Sequence, residues 1–168
     1  MKKFLYLMLV MMMVAACSSI DCPVNNVVET RYAIMDSEGS ELELPDTLNV
    51  WSTTAEGKDT LIYNSGIGIK KFALPISYSH PEDILIFSFS NTLLVDTLAI
   101  RVQVLDTVWV KKDDYPNFES VDCNSVFFHN LTDVRYTHNY IDSIVIKNPS
   151  VTYDPETVHF NFYPKTDL

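Results

Sequence analysis

From Val28 onward the hydrophobic pattern repeats every two residues. Val28, Thr30, Tyr32 and Ile34 alternate with Glu29, Arg31, Ala33 and Met35, and Leu98, Ile100, Val102 and Val104 alternate with Ala99, Arg101 and Gln103. Side chains of an extended strand point alternately to opposite faces, so this spacing predicts strands with one face buried. β-Branched and aromatic runs at 48–53, 60–63, 71–76, 84–89, 108–111, 126–129, 141–146 and 158–162 predict further strands. Turn chemistry separates them. Ser37-Glu38-Gly39-Ser40 and Ala55-Glu56-Gly57-Lys58 read as hairpin connections, and Ser79-His80-Pro81-Glu82, Asn148-Pro149 and Asp154-Pro155 as breaks. No window keeps apolar residues at helical spacing for three turns, so no helix is expected in this part of the chain. About ten short strands at such intervals predict an antiparallel β-sandwich. Residues 111–125 are the longest stretch without alternation and read as an irregular loop.

The beginning of the chain follows a different pattern. Lys2 and Lys3 precede residues 4–16, which carry no charge. A membrane-spanning helix needs roughly 20 apolar residues, so this run is too short to cross a bilayer permanently and reads as a secretory leader. It ends in Val14-Ala15-Ala16-Cys17, which resembles the bacterial lipobox. The resemblance implies cleavage before Cys17 and attachment of fatty acyl chains, palmitate among them, to that cysteine. Two or more chains make such an anchor stable. The competing reading is an ordinary leader cut near Ala16 with a free thiol behind it. Ser18 and Ser19 follow. By analogy with known sorting patterns, the absence of Asp at the second position and of an acidic run favours the outer membrane, on its periplasmic face.

Charge and cysteines narrow the partners. Removing residues 1–16 takes away two lysines and no acid, which moves the formal charge from −10 to −12. So acidic a body is repelled by phosphate backbones and anionic headgroups, so no nucleic-acid partner is expected and membrane contact is assigned to the lipid. Cys22 and Cys123 remain. In an oxidising compartment an even pair most often forms a disulfide, here closing a loop of about 100 residues, for which chain entropy gives roughly 4.7 kcal/mol. A metal or redox pair is the alternative, but neither cysteine has a histidine at ligand spacing and no C-x-x-C occurs.

One tripeptide recurs. Asp, then Thr or Ser, then an aliphatic residue occurs at 46–48, 59–61, 96–98, 106–108 and 142–144, where composition alone gives about one copy. On a structural reading Asp ends a turn, Thr starts a strand and the aliphatic residue enters the core. On a covalent reading the tripeptide resembles the O-glycosylation acceptor of exported Bacteroidota proteins, which implies sugar at Thr47, Thr60, Thr97, Thr107 and Ser143. The two readings are compatible.

Candidate chemistry is sparse. Ser65-Gly66-Ile67-Gly68 lacks the Lys-Ser/Thr of a phosphate loop and reads as a turn. His80, His129, His138 and His159 show no ligand spacing and read as surface or rim residues, so no metal and no cofactor is expected. Asp113, Asp114, Glu119 and Asp122, with Lys111 and Lys112 beside them, read as a solvated loop rather than a Ca²⁺ site. There is no Gly-x-Ser-x-Gly elbow, and nothing singles out a carboxylate pair for glycoside hydrolysis. Trp109 is expected in the core. Trp51 is left open between the core and an exposed ring able to stack on a ligand.

Taken whole, the chain resembles a family of small Bacteroidota lipoproteins with no assigned function. The resemblance rests on Cys17 followed closely by Cys22, on Asp46-Thr47-Leu48, and on Leu74-Pro75-Ile76 before Phe87 and Phe89. It rests also on Ser120-x-Asp122-Cys123 and Thr137-x-Asn139-x-Ile141-Asp142. Asn124 stands where the common form has glycine. The resemblance implies a β-sandwich, frequently encoded beside an outer-membrane β-barrel protein, and supplies no catalytic residues. The expected organisation is a leader over 1–16, a lipidated tether over 17–26, and one all-β domain over 27–168 with Greek-key, immunoglobulin-like connections. The expected role is a non-catalytic structural or protein-interaction module whose partner is a β-barrel or other envelope protein. A glycan-binding module using Trp51 is the alternative, and a hydrolase with a carboxylate pair a third.

Overall fold

Alternating sequences become layers when every strand turns its apolar face the same way. The computed structural model describes residues 28–53, 57–64, 67–78, 80–95, 98–115, 120–121, 124–125, 128–152 and 154–165, with the backbone alone described within 91–101 and 114–127. The strands are β1 (Glu29–Ile34), β2 (Thr47–Thr53), β3 (Asp59–Asn64), β4 (Lys71–Pro75), β5 (Glu82–Val95) and β6 (Leu98–Tyr115). They continue as β7 (Ser120–Val121), β8 (Asn124–Ser125), β9 (Phe128–Tyr136), β10 (Ile141–Ile146), β11 (Ser150–Val151) and β12 (Phe160–Pro164). A four-stranded sheet in the order β10-β12-β1-β4 lies across a six-stranded sheet in the order β11-β9-β6-β5-β2-β3, and β7 pairs with β8 alone. The fold is all-β, a sandwich of ten strands in two sheets, as the alternation predicts.

Both sheets contribute to one apolar interior. Phe160, Tyr32 and Phe72 face one another across β12, β1 and β4, and Tyr32 stacks on both neighbours at 4.6 and 4.7 Å. Phe87 of the opposite sheet meets Tyr32 and Phe72 edge-on at 6.1 and 6.0 Å. Offset and edge-to-face rings of this kind add about 0.5–1.5 kcal/mol per pair beyond their buried area. Burial pushes the Tyr32 hydroxyl well above the ordinary phenol range.

Three features differ from the sequence expectation. β1 and β12 pair in parallel, whereas every pair was expected antiparallel. A parallel neighbour needs a long connection, and here nearly the whole chain lies between the two strands. The runs at 98–104 and 108–111 are one strand, and β5 continues past Phe89 to pair with it from Glu82↔Lys111 to Val95↔Leu98. Residues 111–115, expected as loop, carry on β6 and pair with β9 up to Tyr115↔Phe128. Among the turns, Asp36 accepts from the backbone of Glu38 and Ser40 at 2.9 and 2.8 Å, and Gly39 takes the left-handed φ of 84° there. Among the described residues no helix is long and apolar enough to cross a membrane.

Candidate functional site

The outer face of the six-stranded sheet is the most unusual surface. Leu85, Phe87 and Phe89 of β5 are buried in the interior, so Ile84 and Ile86 face outward. Register places Ile86 beside Trp51 and Thr107, and Ile84 beside Trp109. Leu61 lies across from Trp51 on β3. Ile84, Ile86, Trp51 and Trp109 are each half-buried, while Leu61 and Leu105 are 46% and 49% exposed. One border is ionic. Arg135 holds its guanidinium 5.5 Å from the centre of the Trp109 ring and pairs with Glu82 at 2.6 Å. A cation over an exposed ring contributes about 0.5–1 kcal/mol. The strand pattern predicts Trp109 in the core with Val108 and Val110 facing away. The structure reverses this: Val108 and Val110 are buried, because their parity matches the Phe87 row, and Trp109 shares the outer face with Trp51.

The most elaborate polar site is structural. Asp106, 1% exposed inside β6, accepts four hydrogen bonds. Thr137 Oγ1 and the Asn139 backbone N–H reach one oxygen at 2.6 and 2.8 Å. The N–H groups of Tyr140 and Ile141 reach the other at 2.6 and 3.0 Å. The carboxylate thereby satisfies the N–H groups of the turn between β9 and β10. Asp46 acts on the same turn, accepting the Tyr140 hydroxyl at 2.6 Å while the ring stacks on Phe89 at 4.0 Å. Burial, then the Asp46 hydrogen bond, raises the Tyr140 hydroxyl far above its usual range. Two copies of the recurrent tripeptide and the Thr137-x-Asn139 motif thus converge on one turn. Asp59 bonds Thr53 across the β2–β3 hairpin at 2.7 Å.

The structural reading of the tripeptide holds at 46–48, where Thr47 opens β2 and Leu48 is fully buried. It fails at 106–108 and 142–144, where the Asp lies inside a strand, and at 59–61, where Leu61 is exposed. As to accessibility, Thr60 is exposed and Thr47, Thr107 and Ser143 are half-buried.

Lys112 also departs from the expected solvated loop. A register irregularity between Lys111 and Lys112 turns it inward, where its fully buried ammonium meets Asp83 at 2.8 Å. Asp83 further accepts the Ser77 N–H at 3.2 Å. Asp113 beside it is exposed. Of the histidines read as surface residues, His80 and His138 are exposed, but His129 and His159 are buried. His159 Nδ1 accepts the Arg31 N–H at 3.0 Å, standing in for a backbone carbonyl beside the parallel β1–β12 pair. Burial, reinforced by the Arg31 charge, holds its pKa below the ordinary imidazole value. A shallow cleft of about 320 Å³ lies beside Arg31, Lys71 and Glu156. Its cations are already matched, Arg31 by Glu29 at 3.2 Å and Lys71 by Glu41 at 2.5 Å. Among the described residues no group of three or more His, Cys, Asp or Glu is placed to hold a metal ion.

Cys17, Cys22, Cys123, Thr97, Glu119 and Asp122 lie outside the described residues, as does the side chain of Asp114. Asp106, Asp46 and Lys112 are buried charged residues that the hydrophobic pattern along the chain does not single out. The signal for the first two was the recurrence of Asp-Thr; Lys112 carried none. The chain matches a family of unknown function, DUF6452, over residues 47–164, which spans β2 to the end of β12. No curated protein and no solved structure matches it.

Proposed function

The chain belongs to the DUF6452 family, and from that premise we propose that it is a periplasm-facing, outer-membrane-anchored lipoprotein serving as a non-catalytic protein-interaction module of the cell envelope. The leader and Cys17 support the anchor, and a Cys22–Cys123 bridge would fasten the domain close behind the lipid. The observation that carries the interaction role is the outer face of the six-stranded sheet, with Trp51, Trp109, Ile84 and Ile86 side by side and an Arg135–Glu82 border. An apolar centre with Trp anchors and a charged rim is the anatomy of a protein interface. The partner that fits is an envelope protein, a β-barrel protein among the candidates, presenting an apolar patch edged by polar groups.

A photo-crosslinking residue at Leu61 in intact cells should capture a discrete envelope protein. One at Val145, equally exposed at 50% but on the other sheet, should not. Trp109→Ala should reduce the Leu61 adduct several-fold. No adduct at Leu61, or the same adduct from both positions, refutes the assignment. Labelled fatty acid should enter the native chain and not Cys17→Ser.

Glycan binding is the second reading, favoured by one observation: Trp51 is half-buried on the outer face rather than sealed in the core. Ile84 and Ile86 between the two rings supply none of the hydrogen bonds a sugar needs, which makes protein the better partner. Polysaccharide binding lost in Trp51→Ala would reverse that ranking. O-Glycosylation at Thr47, Thr60, Thr97, Thr107 or Ser143 would add to the intact mass, and Thr60 is the exposed site among those described. A sugar on Thr107, which lies beside Ile86, would cover the same face.

A further inference from the structure

Lys112 stands apart from the other lysines. Lys58, Lys70, Lys71, Lys111 and Lys147 are exposed, whereas the Lys112 side chain is 0% exposed and its Nζ lies 2.8 Å from Asp83 Oδ2. Parity along two neighbouring strands makes the meeting. Leu85 and Phe87 of β5 and Val108 and Val110 of β6 are buried, and Asp83 and Lys112 share their parity. Register sets Asp83 against Val110, and the Lys112 N–H is held by the Pro81 carbonyl at 2.9 Å, so the two side chains meet diagonally across the inner face. The surroundings are apolar. Leu85, Val110 and Leu131, the last opposite Lys112 on β9, are each at most 3% exposed.

As an ion pair this contact is poorly provided for. An ammonium carries three donors, and among the described residues Asp83 is the acceptor that Nζ finds. Two charges taken out of water repay their desolvation only where further hydrogen bonds complete the set. Asp83 receives one more, from the Ser77 N–H at 3.2 Å, on the same Oδ2. An amide in place of the two ions would carry no charge and a single donor.

We propose that Lys112 and Asp83 condense in the folded chain to an isopeptide bond. The attacking form of a lysine is its neutral amine, and a proton passed along the 2.8 Å contact supplies it. Nζ then adds to Asp83 Cγ. The Cγ–Oδ1 bond breaks, and Oδ1 departs as water with two of the three ammonium protons. Oδ2, already held by the Ser77 N–H, stays as the amide oxygen. Nothing is oxidised or reduced, and no co-reactant is consumed. The fold supplies the two things the step needs. Holding both groups at contact distance raises their effective concentration by orders of magnitude, and apolar walls disfavour the charged reactants against an uncharged product. The 11% exposure of Asp83 gives the water a way out. His129, 3% exposed, is the next inward residue of β9 after Leu131 and brings an imidazole to the same end of the interior. The bond ties β5 to β6 near the Glu82↔Lys111 end of their ladder. It closes a covalent ring from 83 to 112 that denaturant does not open.

The full chain, reduced and denatured in dodecyl sulfate and then digested with trypsin, should yield the segments carrying Asp83 and Lys112 as one branched product. Its mass should fall short of their sum by one water, and cleavage after Lys112 should be lost. Lys112→Arg should return two separate segments. Should Lys112→Arg misfold by near-ultraviolet circular dichroism, Asp83→Ala supplies the same comparison, and the native digest decides by itself. A native chain cut after Lys112, with the Asp83 segment released at its full mass, holds an ion pair only and overturns the proposal. So does a branched product that persists in Lys112→Arg.

Discussion

The two faces of the six-stranded sheet are both apolar along β5, yet they hold their residues in different ways. On the inner face Phe87 and Phe89 are almost fully buried and stack against Phe162 and Tyr140. On the outer face Ile84 and Ile86 sit one position away on the same strand, half-covered by Trp51 and Trp109. The inner face is closed by a second sheet, whereas among the described residues no further sheet is layered over Ile84 and Ile86. Hydrophobicity along a strand therefore does not identify its core side. The opposite sheet does, through the parity it selects.

The largest effect should come from opening the inner face. Phe87→Ala should cost about 3–5 kcal/mol in urea unfolding, whereas Ile86→Ala should cost less than about 1 kcal/mol. Equal losses would show that the outer face is sealed as the inner one is, and would remove the docking surface. The carboxylate that fixes the inner face's polar exception comes next. Asp106→Asn turns one acceptor oxygen into a donor facing N–H groups and should cost about 2–3 kcal/mol. A loss within a few tenths of zero would mean that water replaces the clamp.

The smallest effect is one of pH and belongs to the four-stranded sheet. The pKa of His159 is lower in the folded chain than in the unfolded one, so at acidic pH the unfolded chain binds the extra proton. The stability contributed by the neutral ring is complete above about pH 6.5 and is lost as pH falls through the folded value. Protonation would also remove the acceptor of the Arg31 N–H. The slope of stability against pH just below 6.5 should flatten in His159→Gln. An unchanged slope would assign the acid sensitivity elsewhere.

Much of the fold was legible in the residues. Ile141–Ile146 is the strand its β-branched run predicts, and the alternation at 28–35 marks β1. β9 was legible only at its start, because Asn130, Thr132, Asp133 and Arg135 dilute the strand signal that pairing with β6 overrides. β6 read as two strands because Asp106 interrupts its apolar row. That aspartate is tolerated in the interior only because the turn at 137–141 brings it three backbone donors and a hydroxyl.

The sequence by itself determined the all-β class, the turns and the expectation of a lipid anchor, because period-two patterning, turn residues and a short apolar leader act through neighbours along the chain. Only the tertiary structure decided which face of each strand is core, that Lys112 is buried against Asp83, that Asp106 and Asp46 hold one turn, and that both tryptophans share an outer surface. Those outcomes depend on residues tens of positions apart meeting in space, and local pattern carries no record of such meetings.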